Sequence, residues 1–206
     1  MKLYTGPGPN PRVVRIFMEE KGVEIPLVEV DLIGGENREG THVGRNPAGQ
    51  LPTLELDNGR CISEITAICE YLEEATPGPS LLGESAEDRG ETRMWVRRID
   101  LNICEPLANG FRSAEGHSLF KDRIRLFPQA AADFKLHVQE RLAWLEGLLG
   151  EGDFICGGRF SLADIMLFAF LEFGGAVGQP LDPSLEKLGA WYARIADRPS
   201  IAATVG

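Results

Sequence analysis

The chain has 206 residues, and its 21 lysines and arginines against 31 aspartates and glutamates give a formal net charge of −10. Hydrophobic residues make up 43% and charged residues 25% of the sequence, which disfavours a disordered or fibrous chain and predicts one large or two small globular domains. The acidic balance disfavours nucleic acid and an anionic membrane as partners, but it does not exclude a small anion in a local basic pocket.

The first part of the chain is predicted to fold in the order β-α-β, an irregular link, and β-β-α. Asn10 followed by Pro11 predicts a helix with Asn10 as its N-cap, and Gly22 predicts its end. Apolar residues at i, i+3, i+4 and i+7 from Ile65 predict a second helix. The four strands are expected at Lys2–Thr5, Pro26–Leu32, Leu51–Leu56 and Arg60–Ile62. Together these elements predict a small mixed sheet with helices on its faces.

The second part of the chain is predicted to be helical throughout. One long pattern runs from Glu87 to about Phe111, and another runs from Phe134 to Leu149. Ser161 and Asp164 have the spacing of a capping box, and they open a nearly all-apolar helix that we expect in the middle of the helical domain. A last helix carries apolar residues from Leu185 to Ile195.

A run of helix breakers separates the two parts. The stretch Thr76–Ser80 reads TPGPS, which is typical of a linker. We therefore expect an α/β N-terminal domain over residues 1–75, a linker over 76–86 and an all-α domain over 87–206. Because about 75 residues are marginal for independent stability, the second domain is expected to pack against the first.

The cysteines and histidines indicate neither a metal site nor a hydrolase triad. No Cys/His cluster has zinc spacing, and Walker, Rossmann and GxSxG motifs are missing. No metal is expected, and the four cysteines are expected to be free thiols: Cys61, Cys69, Cys104 and Cys156. No apolar run approaches the ~18 residues of a membrane span, and the first residues lack a signal peptide. We expect a cytoplasmic protein.

The start of the first helix suits a thiolate. A helix N-terminus has unsatisfied N–H groups and a partial positive charge, both of which stabilise an anion. The chain has no cysteine there, so a thiolate would have to arrive on a ligand, and the amide of Asn10 could donate a hydrogen bond to it. The alternative is that Asn10 only caps the helix.

A second candidate segment is NPAGQLPTL, residues 46–54. Pro52 is either part of a plain turn or a cis-proline. A cis bond would turn the backbone N–H and C=O of Leu51 outward, where they could pair with an extended peptide.

Further along, the stretch from Ser63 to Thr66 opens a helix whose N–H groups could hold a carboxylate, while Glu64 could hold an ammonium group. Those are the two ends of an α-amino acid. Capping by Ser63 is the simpler alternative, and it is compatible with a ligand.

These segments together carry a resemblance. NPAGQLPTL, the later SEITAICEYL and FSLADI in the helical part resemble the cytosolic glutathione transferase superfamily over essentially the whole chain. The resemblance is nearest to the bacterial nu-class and theta-like members. It implies a thioredoxin-like N-terminal domain, an all-α C-terminal domain and a homodimer. It also implies glutathione as co-substrate, held on the first domain, and an open hydrophobic second site between the domains.

The resemblance also assigns roles in binding glutathione. Gln50 matches the residue that reaches glutathione, Leu51 the residue whose backbone pairs with the cysteinyl unit, and Pro52 the cis-proline. Glu64 and Ile65 match the acid–serine pair that holds the γ-glutamyl end. Ile65 keeps the backbone N–H of that pair but lacks the hydroxyl.

The catalytic loop departs from the family pattern. Gly8 stands where theta- and delta-like members have serine, and the tyrosine of other classes would fall at Thr5. The stretch Pro7–Asn10 is most similar to the T-P-N segment of nu-class members, with Asn10 matching the asparagine. The resemblance therefore implies Asn10 as the contact to the glutathione thiol.

The second substrate is expected to contact the long helix after the linker. Candidates are Asn102, Ile103, Pro106, Phe111 and Arg112, and core packing is the alternative for Ile103 and Phe111. The resemblance implies in addition that Asp100 reaches the glutathione of the other subunit.

Two functions follow from these assignments. The first is an enzyme that activates the glutathione thiol, either to conjugate small hydrophobic electrophiles or to reduce disulfides and peroxides. The second is a non-catalytic binding or regulatory module on the same fold. The loss of serine at Gly8 and Ile65 favours the module, whereas the intact Gln50–Pro52 segment and Glu64 favour the enzyme.

Overall fold

The computed structural model describes residues 1–205, and in that part of the chain it contains one four-stranded mixed sheet with the strand order β2-β1-β3-β4. The strands are β1 Lys2–Thr5, β2 Leu27–Glu29, β3 Thr53–Glu55 and β4 Cys61–Ser63. β1 runs parallel to β2 and antiparallel to β3, which is antiparallel to β4. The predicted βαβ unit and hairpin are confirmed.

The second strand is shorter than predicted. Seven residues, Pro26–Leu32, were expected to be extended, but only Leu27–Glu29 pair as a strand. Pro26 has no N–H to donate to a ladder, and beyond the strand the N–H of Leu32 turns back to the carbonyl of Val30 at 2.8 Å.

The first helix, α1, spans Pro9–Lys21 and begins before the predicted residue. Its N-cap is Gly8, and Pro9 occupies the first helical position, a place that the fixed φ of proline suits. Asn10 lies in the first turn, so the prediction that Asn10 is the N-cap is wrong. The predicted end is confirmed, because Gly22 adopts the left-handed conformation at φ 66°.

The remaining elements of the first part complete its core. A 3₁₀ turn, Glu36–Arg38, and the short α2, Gly40–Val43, occupy the stretch without clear periodicity. α3 spans Ile65–Ala75 and packs against α1. The fully buried apolar side chains are contributed by both helices and by the sheet: Leu3, Val13, Val14, Ile16, Phe17, Leu54, Ile68, Cys69 and Leu72.

The chain divides into two compact units. Unit 1 comprises Met1–Leu82 together with the residues from Pro199 onward, and unit 2 comprises Gly83–Arg198. The division after Leu82 falls within the expected linker over 76–86, and the residues from Pro199 onward group with unit 1, whereas the helical domain was expected over 87–206.

Residues 76–82 group with unit 1, and Glu73, near the end of α3, holds this stretch. Its carboxylate accepts hydrogen bonds from the hydroxyl of Ser80 at 2.7 Å and from the N–H of Leu81 at 3.1 Å. Leu81 and Leu82 are buried. At the other end of the chain, α10, Pro199–Ala203, packs on α1.

Unit 2 is helical, as predicted. Its elements are α4 Ala86–Ile99, a π-helical turn Asp100–Cys104, α5 Glu105–Ser113, α6 His117–Phe120, a 3₁₀ turn Pro128–Ala130, α7 Ala131–Leu148, α8 Leu162–Ala176 and α9 Glu186–Ala196. α8 is almost wholly buried and packs against α4 and α9, which confirms its central place. None of the helices among residues 1–205 is both long and apolar enough to span a bilayer.

The predicted capping box at the start of α8 is confirmed. The Asp164 carboxylate accepts a hydrogen bond from the backbone N–H of Ser161 at 3.0 Å. It also accepts from the N–H of Ile155 at 2.8 Å and from Nε1 of Trp191 at 2.9 Å. Burial raises the pKa of the Asp164 carboxyl, and these hydrogen bonds partly offset that effect. Asp164 therefore joins a loop and α9 to α8.

The long helix predicted from Glu87 to about Phe111 contains the π-helical turn. Pro106 has no N–H, and its ring would clash with the carbonyl four residues earlier, that of Asn102. The wider turn relieves this clash, with the N–H of Glu105 donating to the carbonyl of Asp100.

Candidate functional site

The strand register brings three loop segments to one end of the sheet. Tyr4 pairs with Thr53, and Thr53 pairs with Ser63. Because β1 and β4 end there and β3 begins there, the residues after β1, before β3 and after β4 meet at the same edge. These are the segments that contain Asn10, Gln50–Pro52 and Glu64–Ile65.

Direct packing joins the first two of these segments. Gly6, which follows β1, is buried, and a Cβ added to it would lie 3.0 Å from Cδ1 of Leu51 and 3.1 Å from the carbonyl oxygen of Val30. Glycine therefore permits the loop before α1 to approach Leu51 closely. The Leu51 side chain is itself buried in a small cluster with Tyr4 and Val30.

The backbone of Leu51 is available to a ligand. The Leu51–Pro52 peptide is cis, the first of the two alternatives drawn from the sequence. Within the described residues, neither the N–H nor the C=O of Leu51 has a hydrogen-bond partner. Gln50, next to it, is exposed. This segment thus offers one donor and one acceptor to an extended peptide.

Three polar side chains hold this segment from behind, and only Asn46 among them lies within the NPAGQLPTL motif. Nδ2 of Asn37 donates to the carbonyl of Gly49 at 2.7 Å. The carbonyl of Gln50 accepts from Nε2 of His42 at 3.0 Å and from Nδ2 of Asn46 at 2.9 Å. Asn37, His42 and Asn46 are buried. Asn37 and His42 follow no period in the sequence, so no pattern marks them in advance.

A cation lies beside the same loop. Nη1 of Arg38 donates to the carbonyl of Ala48 at 3.1 Å, and its Cδ would lie 3.0 Å from a Cβ placed on Gly49. Arg38 is exposed. In a chain with a net charge of −10, this guanidinium gives the loop a local positive potential.

The start of α3 combines an unusual backbone with open donors. Glu64 is the N-cap and has φ 71°, and it is the one non-glycine residue among 1–205 with positive φ. Such positions are sparsely populated and cluster at functional sites. The helix has no side-chain cap, so capping by Ser63 is wrong, and the first N–H groups of α3, including that of Ile65, have no partner within the helix.

Asn10 has the surroundings that a thiol contact needs. It is half-buried in the first turn of α1, and its side chain makes no hydrogen bond to any described residue. No acidic residue occupies that first turn, so the partial positive charge of the helix end is not neutralised locally.

The backbone at Gly8 accounts for the missing serine. Gly8 has φ 113° and ψ 171°, a region that is essentially restricted to glycine. A Cβ at this position would meet nothing within 4 Å. Conformation rather than space therefore disfavours a serine here.

None of the four cysteines is an activated thiol. All of them are free, as predicted. Burial raises the pKa of Cys61 and Cys156, and it raises the pKa of the fully buried Cys69 and Cys104 well above the usual range. A thiolate at this end of the sheet must therefore come from a ligand. Among residues 1–205, no three His, Cys, Asp or Glu side chains gather as a metal site.

The second-substrate candidates lie in unit 2, and they differ in burial and in their contacts. Ile103 and Pro106 are buried, which favours core packing for Ile103. Phe111 packs edge-to-face against Phe173, with ring centroids 4.9 Å apart, and against Phe120 at 6.1 Å. These contacts favour a structural role for Phe111 as well.

The three polar candidates each have an intramolecular partner. Nδ2 of Asn102 donates to the carbonyl of Arg98 at 2.8 Å. Arg112 lies 3.9 Å from Glu105, and the half-buried Asp100 pairs with Arg97 at 3.0 Å. All three keep some exposed surface.

Comparison with known proteins follows the same division of the chain. Residues 1–74 match the family model described as glutathione S-transferase, N-terminal domain, and residues 128–194 match the model described as glutathione S-transferase, C-terminal domain. Glutathione S-transferase 2 of Saccharomyces cerevisiae is 31% identical over 207 residues, which cover 98% of this chain and 88% of the relative.

Solved structures are similar over the full length. The crystal structure of a glutathione S-transferase domain-containing protein of Marinobacter aquaeolei VT8 is 36% identical, with a TM-score of 0.91, and covers 98% of this chain and 100% of that one. The crystal structure of Gtt2 from Saccharomyces cerevisiae is 30% identical, with a TM-score of 0.92, and covers 100% of both chains.

Proposed function

The chain belongs to the glutathione S-transferase family, and on that premise we propose that unit 1 binds one glutathione molecule and that Asn10 stabilises its thiolate. The observation that carries this proposal is the meeting of three open features at one end of the sheet. They are the unpartnered backbone of Leu51, the uncapped start of α3, and the uncapped start of α1 beside Asn10.

Each part of glutathione has a counterpart there. The cysteinyl unit pairs with the N–H and C=O of Leu51 as an added strand. The γ-glutamyl carboxylate binds the N–H groups at the start of α3, with that of Ile65 in place of a serine hydroxyl, and the ammonium group binds Glu64. Gln50 donates to the tripeptide backbone, and Arg38 attracts the glycine carboxylate.

The thiol is then directed towards the start of α1. Lowering the pKa of a cysteine thiol from ~8.5 by about two units requires roughly 2.7 kcal/mol. A hydrogen bond to a charged group contributes about 1.5–3 kcal/mol, and a helix N-terminus adds about 0.3–1 kcal/mol. The amide of Asn10 and the end of α1 together contribute about 1.8–4 kcal/mol, a range that includes the required stabilisation without the hydroxyl that Gly8 lacks.

The activated thiolate supports two reactions. In conjugation, the sulfur attacks an electrophilic carbon, an S–C bond forms and the leaving group departs with its electron pair. In disulfide reduction, the sulfur attacks one sulfur of the substrate, a mixed disulfide forms and the other sulfur leaves as a thiolate, and a second glutathione completes the reduction. Residues around the π-helical turn and α5, above all Asn102 and Arg112, contact the small hydrophobic electrophile or disulfide.

Titration calorimetry and thiolate absorbance test this proposal. We expect one glutathione per chain and an ultraviolet thiolate band at neutral pH, with S-methylglutathione as the control that binds without the band. Turnover is then measured with an aromatic halide and with a small organic disulfide. No binding at millimolar glutathione would contradict the proposal.

A second candidate is a glutathione-binding module without catalysis, which the glycine-only backbone at residue 8 favours. Binding without a thiolate band, and without turnover of either substrate class, would support it over the enzyme.

We also propose that the protein is a cytoplasmic homodimer and that Asp100 reaches the glutathione of the partner subunit. Sedimentation equilibrium at micromolar concentration is expected to give about twice the 22.6 kDa of one chain. Asp100→Asn is expected to weaken glutathione binding in the dimer. Wild-type affinity in this variant would limit Asp100 to its pairing with Arg97.

A further inference from the structure

We propose that His42 and Asn46 are positioning residues that aim the N–H of Leu51 at the ligand. This inference rests on the proposed function, in which that N–H pairs with the cysteinyl unit of glutathione. Neither side chain reaches the ligand in this proposal. Both act on the carbonyl of Gln50, which is the other half of the same peptide unit.

The planarity of the peptide bond transmits their effect. The carbonyl oxygen of Gln50 and the N–H of Leu51 belong to one rigid plane. The cis bond of this segment follows Leu51, so the Gln50–Leu51 peptide is trans and its O and H point in opposite directions. Fixing the oxygen from behind therefore fixes the direction of the N–H in front.

Two well-placed donors occupy that oxygen. Nε2 of His42 lies at 3.0 Å and Nδ2 of Asn46 at 2.9 Å, whereas the hydroxyl of Thr53 is more distant at 3.5 Å. A carbonyl oxygen has two lone pairs, so the two nitrogens fill its acceptor capacity.

Each donor is itself held in place. The backbone N–H of Ala48 donates to Oδ1 of Asn46 at 3.0 Å, which leaves Nδ2 facing Gln50. The imidazole of His42 is buried and packs edge-on to the ring of Tyr4, with centroids 6.3 Å apart. Its Nδ1 is buried without a partner, so the tautomer that fits is the one with the proton on Nε2.

A positioning role for His42 and Asn46 and a merely structural role predict different results when either residue is replaced. Loss of packing would lower stability and leave the affinity of the folded protein unchanged. Loss of the donor with packing retained should weaken glutathione binding while the chemistry at the sulfur is unchanged. The positioning role therefore predicts a change in Kd and KM without a matching change in kcat.

The test compares His42→Phe, which keeps an aromatic ring against Tyr4 but has no donor, with His42→Gln, whose side-chain amide supplies an N–H at the same reach. One hydrogen bond contributes about 0.5–1.5 kcal/mol. We therefore expect the Kd for glutathione to rise about three- to tenfold in His42→Phe and to remain within twofold of wild type in His42→Gln, with kcat at saturating glutathione unchanged in both. Asn46→Asp keeps Oδ1 as the acceptor for the N–H of Ala48 but loses the donor to Gln50. It should therefore raise the Kd for glutathione by about the same factor as His42→Phe.

A measurement on the free protein separates this inference from the proposed function. In ¹⁵N relaxation, the order parameter of the Leu51 amide should fall in His42→Phe and recover in His42→Gln, whether or not glutathione binds. Wild-type order at Leu51 in His42→Phe would overturn the inference, and so would equal effects of Phe and Gln on Kd. Failure of the wild-type protein to bind glutathione would instead contradict the proposed function. The relaxation measurement on the free protein would still decide whether His42 orients the Leu51 amide.

Discussion

Arg12, one turn into α1, is joined to Thr204 near the end of the chain by a hydrogen bond of 2.7 Å between Nη1 and Oγ1. Its Nη2 donates to the carbonyl of Ile201 at 3.0 Å, and Arg12 is buried. The residues after α9 are thereby fastened to the helix whose first turn carries Asn10. The C-terminal segment thus belongs to the same unit as the proposed glutathione site.

Replacing Thr204 by valine tests this link. The substitution keeps the shape of the side chain but removes the acceptor for a buried guanidinium, and it also removes the hydroxyl bond to the carbonyl of Ser200. Hydrogen bonds to charged groups contribute about 1.5–3 kcal/mol, so we expect the free energy of unfolding to fall by about 2 kcal/mol in urea titrations. Thr204→Ser keeps the hydroxyl, so its free energy of unfolding should fall by less than half as much.

An ion pair between the buried Lys21 and the half-buried Glu73 lies at the end of α1 and holds the stretch that follows α3. Nζ of Lys21 lies 3.1 Å from the Glu73 carboxylate and donates to the carbonyl of Pro79 at 3.1 Å. Glu73→Gln would leave the buried ammonium without its counter-ion, which costs about 3–5 kcal/mol. We expect urea unfolding at neutral pH to show a loss of that order, whereas Glu74→Gln, at the exposed neighbouring residue, should change stability by less than 0.5 kcal/mol.

The stabilisation from Glu73 should depend on pH. Burial raises the pKa of its carboxyl, but hydrogen bonds from Ser80 and Lys21 outweigh burial and hold the pKa below its usual range. A carboxyl with a lowered pKa in the folded state contributes stability above its unfolded value of about 4.3 and loses it as the pH falls through the folded value. The difference in stability between wild type and Glu73→Gln should therefore narrow below pH ~4. A difference that stays constant to lower pH would contradict this account.

The sequence was sufficient for the order of elements because that order depends on local patterns. Alternating and helical periodicities gave the four strands and the main helices, and Gly22 ended α1 where a left-handed residue was needed. The start of α1 was misplaced because Pro9 and Pro11 both suit the first helical position, and the choice depends on the φ of Gly8. The π-helical turn before Pro106 was missed because a widened turn keeps nearly the same apolar spacing.

The proposed site was recognisable from the sequence only where a motif carries its chemistry. The motifs pointed to Leu51–Pro52 and Glu64, and the cis bond at Leu51–Pro52 is present, whereas the roles of Leu51 and Glu64 towards glutathione stay predictions. Asn37 and His42 were missed because they act through long-range bonds to backbone carbonyls, and nothing in the spacing of polar residues shows which carbonyl they will reach. The division after Leu82 lies within the predicted linker, but the hydrogen bonds of Glu73 to Ser80 and Leu81 could not be predicted from a stretch rich in helix breakers.

Restoring the serine that the family pattern expects should not improve activity. Gly8→Ser places an L side chain at φ 113°, ψ 171°, which costs about 1–3 kcal/mol. The strain will lower stability or shift the loop before α1. We expect a lower melting temperature and no gain in conjugation rate. Gly90→Ser, at an exposed helical glycine without positive φ, should show no such loss, and a faster Gly8→Ser enzyme would contradict this prediction.

Asn10→Ala tests the proposed thiol contact without the complication of a lost cap. Because Gly8 and not Asn10 is the N-cap, the alanine variant should keep its stability within about 0.5 kcal/mol of wild type. Removing one amide donor should raise the pKa of the bound glutathione thiol by about one to two units, at about 1.4 kcal/mol per unit. The rate at neutral pH should fall by roughly ten- to a hundredfold. Ultraviolet titration of the bound thiolate measures the first effect, and steady-state kinetics measures the second.

Asn10→Asp distinguishes a thiol contact from a residue that only supports the helix. An aspartate in the first turn favours the helix by about 0.3–1 kcal/mol, so this variant should be as stable as wild type or more so. The same carboxylate places a negative charge beside the sulfur, which should raise the pKa of the thiol further than alanine does. The stability and the thiolate fraction therefore move in opposite directions only if Asn10 faces the sulfur. If the thiol of glutathione bound to Asn10→Asp remains as acidic as in the wild-type protein, Asn10 does not contact it, and the positive end of α1 alone must account for any activation.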